Sequence, residues 1–166
     1  MSTTENLKDA FAGESQANRK YLAFAKKADS DGFAQVARLF RATAAAETVH
    51  AHAHLRALDG VKTTEVNLQE AIAGESFEFK EMYPPYLATA QQEGHKKAEI
   101  SFRNALAVEE THYNLYTDAL NAVKGGGDLP ASEVHVCDVC GHTVMGNAPD
   151  KCPVCGAKKE RFFGVV

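Results

Sequence analysis

An all-α fold is predicted, a bundle of four helices followed by a small metal-binding module, and three observations carry it. Residues 3 to about 123 read as helix almost throughout, a motif-bearing half of that stretch repeats, and all four cysteines fall in two close pairs near the C-terminus. The repeat is the most specific of the three. Ala12-Gly13-Glu14-Ser15 recurs as Ala73-Gly74-Glu75-Ser76, while Phe40-Arg41 and Glu47-x-x-His50 recur as Phe102-Arg103 and Glu109-x-x-His112. Two helix hairpins related by a pseudo-twofold axis follow.

The helix ends are set by turn chemistry. Asp29-Ser30-Asp31-Gly32, Asp59-Gly60 to Thr64, and Gly94 divide the helical stretch into four segments of similar length. Ser2 to Glu5 and Asn67 to Glu70 have the spacing of capping boxes and predict helix starts. The offset from Glu14 to Glu75 is 61 residues and that from Glu47 to Glu109 is 62, so the third helix holds one residue more than the first. An extra residue inside a helix is commonly absorbed as a π-bulge. Pro84-Pro85, in the middle of that helix, breaks the rule against interior proline, and no role follows from the sequence for Pro85. Gly125-Gly126-Gly127 then ends the fourth helix. The domains expected are a bundle over 1–124, a linker over 125–132 and a cysteine module over 133–166.

Helical phase shows where the chemistry lies. Leu7, Phe11, Glu14, Asn18, Tyr21, Ala25 and Ala28 share one face of the first helix, and Val36, Phe40, Thr43, Glu47, His50 and His54 one face of the second. In the third, Ile72, Glu75, Glu78, Met82 and Tyr86 align. In the fourth, Ala98, Phe102, Ala105, Glu109, His112 and Tyr116 do. Any one of these acids or histidines alone reads as an ordinary solvated residue. Five carboxylates on core faces with no inward Lys or Arg need cations, since unpaired buried charge is prohibitively costly. One Glu from each of two helices plus Glu-x-x-His from each of the other two is the donor set of ferritin-like di-metal bundles, with Glu47 and Glu109 as the natural bridges. His52 points off the ligand face, and it and His54 read as structural or exposed.

Cys137-x-x-Cys140-Gly141 and Cys152-x-x-Cys155-Gly156 form two knuckles separated by eleven residues, a tetrathiolate spacing that zinc and iron fill equally well. Context favours iron, because a redox-inert ion would leave the di-metal site without an electron donor.

Across essentially the whole chain these motifs, together with Glu75-x-x-Glu78 and Glu81-Met82-Tyr83-Pro84, resemble the rubrerythrins. The resemblance implies a ferritin-like four-helix bundle with a C-terminal rubredoxin-like module. It implies a di-iron centre held by Glu14, Glu47, His50, Glu75, Glu78, Glu109 and His112, and a mononuclear iron held by Cys137, Cys140, Cys152 and Cys155, where zinc can substitute. Tyr21 and Tyr83 match tyrosines that orient the carboxylates. The activity implied is that of a peroxidase in oxidative-stress defence, reducing hydrogen peroxide to water at the di-iron site. Electrons would pass through the rubredoxin-like iron from an external NAD(P)H-dependent reductase or a rubredoxin-type donor. Glu78 has Ala17 as its repeat mate, and this asymmetry suggests that Glu78 and His50 exchange at one iron, the first when oxidised and the second when reduced. An iron-oxidising, ferritin-like role is the alternative.

Composition excludes other classes. The 166 residues carry a net charge of −4, which offers nucleic acid no attractive field, and no apolar run approaches the roughly 20 residues that span a bilayer. The N-terminus lacks a signal pattern, so a cytoplasmic protein with reduced thiols is expected. No G-x-G-x-x-G opens a helix, so a nicotinamide nucleotide would act through a separate protein. The family commonly pairs head to tail, so a homodimer with relay between subunits is expected. The linker's reach of at most roughly 30 Å also permits relay within one chain.

Overall fold

In a computed structural model, which describes residues 2–165, the helices are α1 (Thr3–Ser30), α2 (Ala34–Ala57), α3 (Thr64–Phe77), α4 (Tyr83–Gln92) and α5 (Lys96–Lys124). A five-residue π-helical segment, Glu78–Met82, joins α3 to α4. The strands are β1 (Val134–Cys137), β2 (Thr143–Met145) and β3 (Phe162–Val165). The chain forms two compact units, the first ending at Lys62 and the second beginning at Thr63.

The first unit is the α1–α2 hairpin. Ser2 and Glu5 close the capping box expected at its start. At its turn Gly32 takes a φ of 84°, which a side chain would resist, and Phe33 returns its amide to the Ala28 carbonyl at 2.9 Å. Alanines make the seam. Ala25 and Ala28 of α1 and Ala37, Ala44 and Ala51 of α2 are its buried residues, the latter three at heptad spacing. Such small side chains let the helix backbones approach, and Asn18 bridges them by donating to the Ala44 carbonyl at 2.7 Å and the Thr48 hydroxyl at 2.8 Å. The face expected for α1 is its less exposed side. On α2, by contrast, Val36 and His50 are exposed, because the alanine row occupies the packed side.

In the second unit α3 and α4 pack along α5. The start expected at Asn67–Glu70 lies inside α3. Its N-cap is Thr63, whose hydroxyl accepts from the Val66 amide at 3.3 Å; the box spacing at Asn67 was coincidental because no chain reversal precedes it. The extra residue is absorbed as expected, in the π segment that begins at Glu78, three residues after Glu75. That segment also explains the prolines. Tyr83 bonds back five residues to Glu78, and Pro84 and Pro85 fall in the first turn of α4, where the shifted register asks least of backbone donors. The Pro85 carbonyl accepts from the Thr89 hydroxyl at 3.0 Å.

The cysteine module, in the same unit, is an antiparallel sheet of order β2-β1-β3, with Val136 opposite Thr143 and Cys137 opposite Phe162. Arg161 pairs with Asp138 at 2.6 Å and fastens the turn before β3 to the first knuckle.

Candidate metal centres

Helical spacing of three brings acid and imidazole together in each hairpin. On α2, His50 Nδ1 lies 2.9 Å from Glu47 Oε2, and Glu14 of α1 completes a group of three donors. On α5, His112 Nδ1 lies 2.9 Å from Glu109 Oε2 and 3.9 Å from Glu75 Oε1 of α3. These separations suit a metal. Cis ligands bound at about 2.1 Å lie about 3 Å apart, and an imidazole lone pair facing a carboxylate oxygen at hydrogen-bond distance needs a proton or a cation between them.

Electrostatics agree in the second unit. Burial, helped by Glu109 and Glu78 and opposed by His112, pushes Glu75 up to about 7 from an ordinary 4.5. Glu78 is raised by burial and then by Glu109, and the Tyr83 hydroxyl by burial and then by Glu78, Glu109 and Glu75. Crowded acids thus hold protons that a cation would displace. Glu78 stands beside the Glu75–Glu109–His112 group and within its field, not among its three donors. Tyr83 is likewise within reach of that field. Tyr21 packs its ring against Phe24 and Phe40.

The four cysteines converge as free thiols. Cys137 and Cys155 sulfurs are 3.7 Å apart and those of Cys140 and Cys152 are 3.6 Å apart. A disulfide needs about 2.05 Å, whereas the edge of a tetrahedron with metal–sulfur bonds of about 2.3 Å is about 3.8 Å. The knuckles are near copies. Gly141 and Gly156 donate to the carbonyls of Cys137 and Cys152 at 2.8 and 2.9 Å, and those cysteines donate to His142 and Ala157 at 2.9 and 2.7 Å. Both glycines have φ between 76° and 87°, the reason each knuckle carries one. Burial pushes the Cys140 thiol up against the pull of the His142 amide. At Cys152 burial acts upward but is outweighed by the Cys155 and Val154 amides, which hold that thiol below its usual value.

Two residues near these centres escaped the sequence reading. Thr143 of β2 touches His112, with its Oγ1 3.0 Å from Nε2, and the neighbouring His142 keeps a buried Nδ1 without a hydrogen-bond partner among the described residues. Burial, then His112, depresses His142, which favours its neutral form. Neither has a motif spacing, because each depends on how β2 meets α5.

No helix among the described residues is long and apolar enough to cross a membrane. The rubrerythrin family profile matches residues 5–120, and the profile of the rubrerythrin rubredoxin-like domain matches residues 135–163. The chain is 36% identical to Rubrerythrin-2 of Clostridium acetobutylicum, over 96% of this chain and 95% of that protein. It is 37% identical to nigerythrin of Nitratidesulfovibrio vulgaris, over 97% of this chain and 85% of that one. A nigerythrin structure in the fully reduced, all-ferrous state aligns with a TM-score of 0.59 and 36% identity, covering 99% of this chain and 87% of that chain. Donor groups, thiol tetrahedron and full-length likeness agree: the chain belongs to the rubrerythrin family of di-iron oxidoreductases, whose ferritin-like bundle is joined to a rubredoxin-like iron module.

Proposed function

We propose that this protein is a peroxidase that reduces hydrogen peroxide to water, with electrons delivered through its four-cysteine iron by an external rubredoxin-type donor or NAD(P)H-dependent reductase. The observation that carries the reading is the presence, in one chain, of two repeat-related Glu–Glu–His groups and a tetrathiolate. A store for single electrons beside a two-electron carboxylate site serves turnover and has no purpose in iron storage. Glu14, Glu47, His50, Glu75, Glu109 and His112 would together hold the iron pair, and Cys137, Cys140, Cys152 and Cys155 the single iron. Iron so bound supplies the electrons that cleavage of the O–O bond consumes.

The chain's own groups manage charge and protons. Glu78, half-buried beside Glu75, would serve as a reserve carboxylate able to balance the added charge of an oxidised site in exchange with His50. Tyr83, its hydroxyl held well protonated by burial and the surrounding acids, remains a hydrogen-bond donor at any working pH. Tyr21 would do the same work for the first hairpin. We read the protein as a cytoplasmic homodimer.

The test is to load the full chain with iron without oxygen, reduce it, and mix it separately with peroxide and dioxygen. Faster oxidation by peroxide, with Cys140→Ser keeping a single turnover and losing repeated turnover, supports the reading. Preference for dioxygen with accumulation of ferric mineral would replace it with an iron-handling role.

A further inference from the structure

We propose that Tyr86, working through Tyr83, is an auxiliary one-electron donor to the carboxylate site, which completes peroxide reduction when the iron pair holds only one electron. The proposal rests on the peroxidase reading above.

The repeat isolates what this residue adds. In the first unit the rings of Tyr21, Phe24 and Phe40 stand 5.6–6.3 Å apart, centre to centre. At the repeat-related positions Tyr83, Tyr86 and Phe102 form the same triad at 5.8–6.4 Å. Phe24 and Tyr86 are also equally exposed, at 47% and 48%. Packing at this position is therefore satisfied by phenylalanine. No hydrogen bond among the described residues uses the Tyr86 hydroxyl either, so neither packing nor hydrogen bonding accounts for it.

Its placement does. Tyr83 and Tyr86 are three residues apart on one side of α4, with ring centres 6.4 Å apart and planes at 88°. Burial, then the charges of Glu78, Glu109 and Glu75, raise the Tyr83 hydroxyl, and Tyr86 adds to them. The inner phenol thus stands in the field of both the donor group and the outer phenol. Tyr86 in turn lines a cavity of about 420 Å³ together with Glu93 and His95. The His95 Nδ1 accepts from the Ala98 amide at 3.2 Å, which leaves the Glu93 carboxylate to receive a phenolic proton. The first unit has no such outlet, because Phe24 carries no proton to lose and is far harder to oxidise than a phenol.

Electrons passed on by a single-iron relay arrive one at a time, so a pair with one ferrous and one ferric ion arises in every cycle. Hydrogen peroxide needs two electrons and two protons to become two waters. At such a pair the ferrous ion gives one electron. Tyr86 gives the other through the Tyr83 ring and passes its proton to Glu93, while solvent provides the protons that the waters take up. The O–O bond breaks, both irons end ferric, and Tyr86 is left as a neutral phenoxyl radical. One electron from the external donor, and the proton returned by Glu93, restore the phenol.

The test uses the full chain, loaded with iron without oxygen and carrying Cys140→Ser so that the module cannot return an electron. Reduced to one electron per iron pair, mixed with hydrogen peroxide and frozen at once, it should show a tyrosyl radical by electron paramagnetic resonance. The signal should narrow when ring-deuterated tyrosine is incorporated. Tyr86→Phe gives the triad the ring its repeat mate already carries, so fold and iron content should hold while the signal is lost. A signal that survives in Tyr86→Phe overturns the assignment, as does one lost only in Tyr83→Phe. Iron oxidised by peroxide with no radical overturns the auxiliary donor and leaves the peroxidase reading standing. Iron that peroxide does not oxidise overturns both.

Discussion

The two hairpins carry the same three donors in the same geometry and differ in nearly everything around them. Each sets imidazole Nδ1 2.9 Å from a carboxylate three residues earlier, with a second acid from the neighbouring helix. In the α1–α2 hairpin an alanine seam packs the helices and leaves His50 open. The second unit adds a π segment, an extra glutamate at its first position, a tyrosine at the residue after its end, and a threonine on the far nitrogen of the histidine. Duplication supplies ligands. Departure from the repeat supplies whatever distinguishes one donor group from the other.

The largest expected effect tests the symmetric part. Glu47→Ala and Glu109→Ala each delete the donor paired with a histidine, so both should lose the iron pair while keeping the single iron on the four cysteines. Iron counted per chain after anaerobic loading checks this. If one of the two keeps a full complement, the hairpins are not equivalent even as ligand sources.

A smaller effect belongs to the asymmetric part. Glu78 has no counterpart at Ala17 and lies in the field of Glu109 without being one of the three close donors. Glu78→Ala should therefore retain iron, favour the diferrous form, and slow peroxide turnover by roughly 10–100-fold. A parent rate and the parent oxidised spectrum would make Glu78 a bystander.

The comparison also predicts a pH response of the metal-free chain. Glu75 binds its proton more tightly folded than unfolded, since its pKa stands at about 7 against an ordinary 4.5. Such a group contributes stability that is complete below the unfolded value and is lost as pH rises through the folded one. Denaturant midpoints of metal-free protein should fall between pH 5 and pH 8, and Glu75→Gln should flatten the slope. Added zinc should reverse it, because the cation takes the proton's place. A midpoint that rises over this range would mean that the acids of the second unit are not crowded.

Much of this was legible in the sequence because ligand sets and caps are written in local spacing. Glu-x-x-His, the paired knuckles and the Ser2–Glu5 box need only one helix or one turn to be realised, and the one-residue difference between repeat offsets located the π segment. What escaped depends on partners distant in the chain. The alanine seam of α2 lies on a different side from the Val36–His50 row because α1 chooses the face by close approach, and alanine gives no periodic hydrophobic signal to announce it. Thr143 is 31 residues from His112, and nothing in a Gly-His-Thr run foretells that a hydroxyl will meet an imidazole. Pro84 and Pro85 looked anomalous only until the register shift before them was known.

The smallest effect concerns the caps. Ser2 and Thr63 both accept an amide of the first turn, but they do so in different company. Ser2 opens α1, whose first turn from Thr3 to Asn6 is exposed and can fray with little loss of packing, so deleting its hydroxyl is felt mainly locally. Thr63 opens α3 in the interior of the chain, immediately after the loop that separates the two units, and α3 carries Glu75 toward α5. Fraying there would loosen one wall of the donor group. Thr63→Ala should cost about 1 kcal/mol of global stability, read from denaturant midpoints, and Ser2→Ala clearly less. Amide exchange in the metal-free chain should then show faster opening at Val66 in the first variant and faster opening confined to Glu5 and its neighbours in the second. Equal losses from both substitutions would mean that α1 unfolds as cooperatively from its first turn as α3 does, and that the contrast drawn between the two hairpins does not extend to their ends.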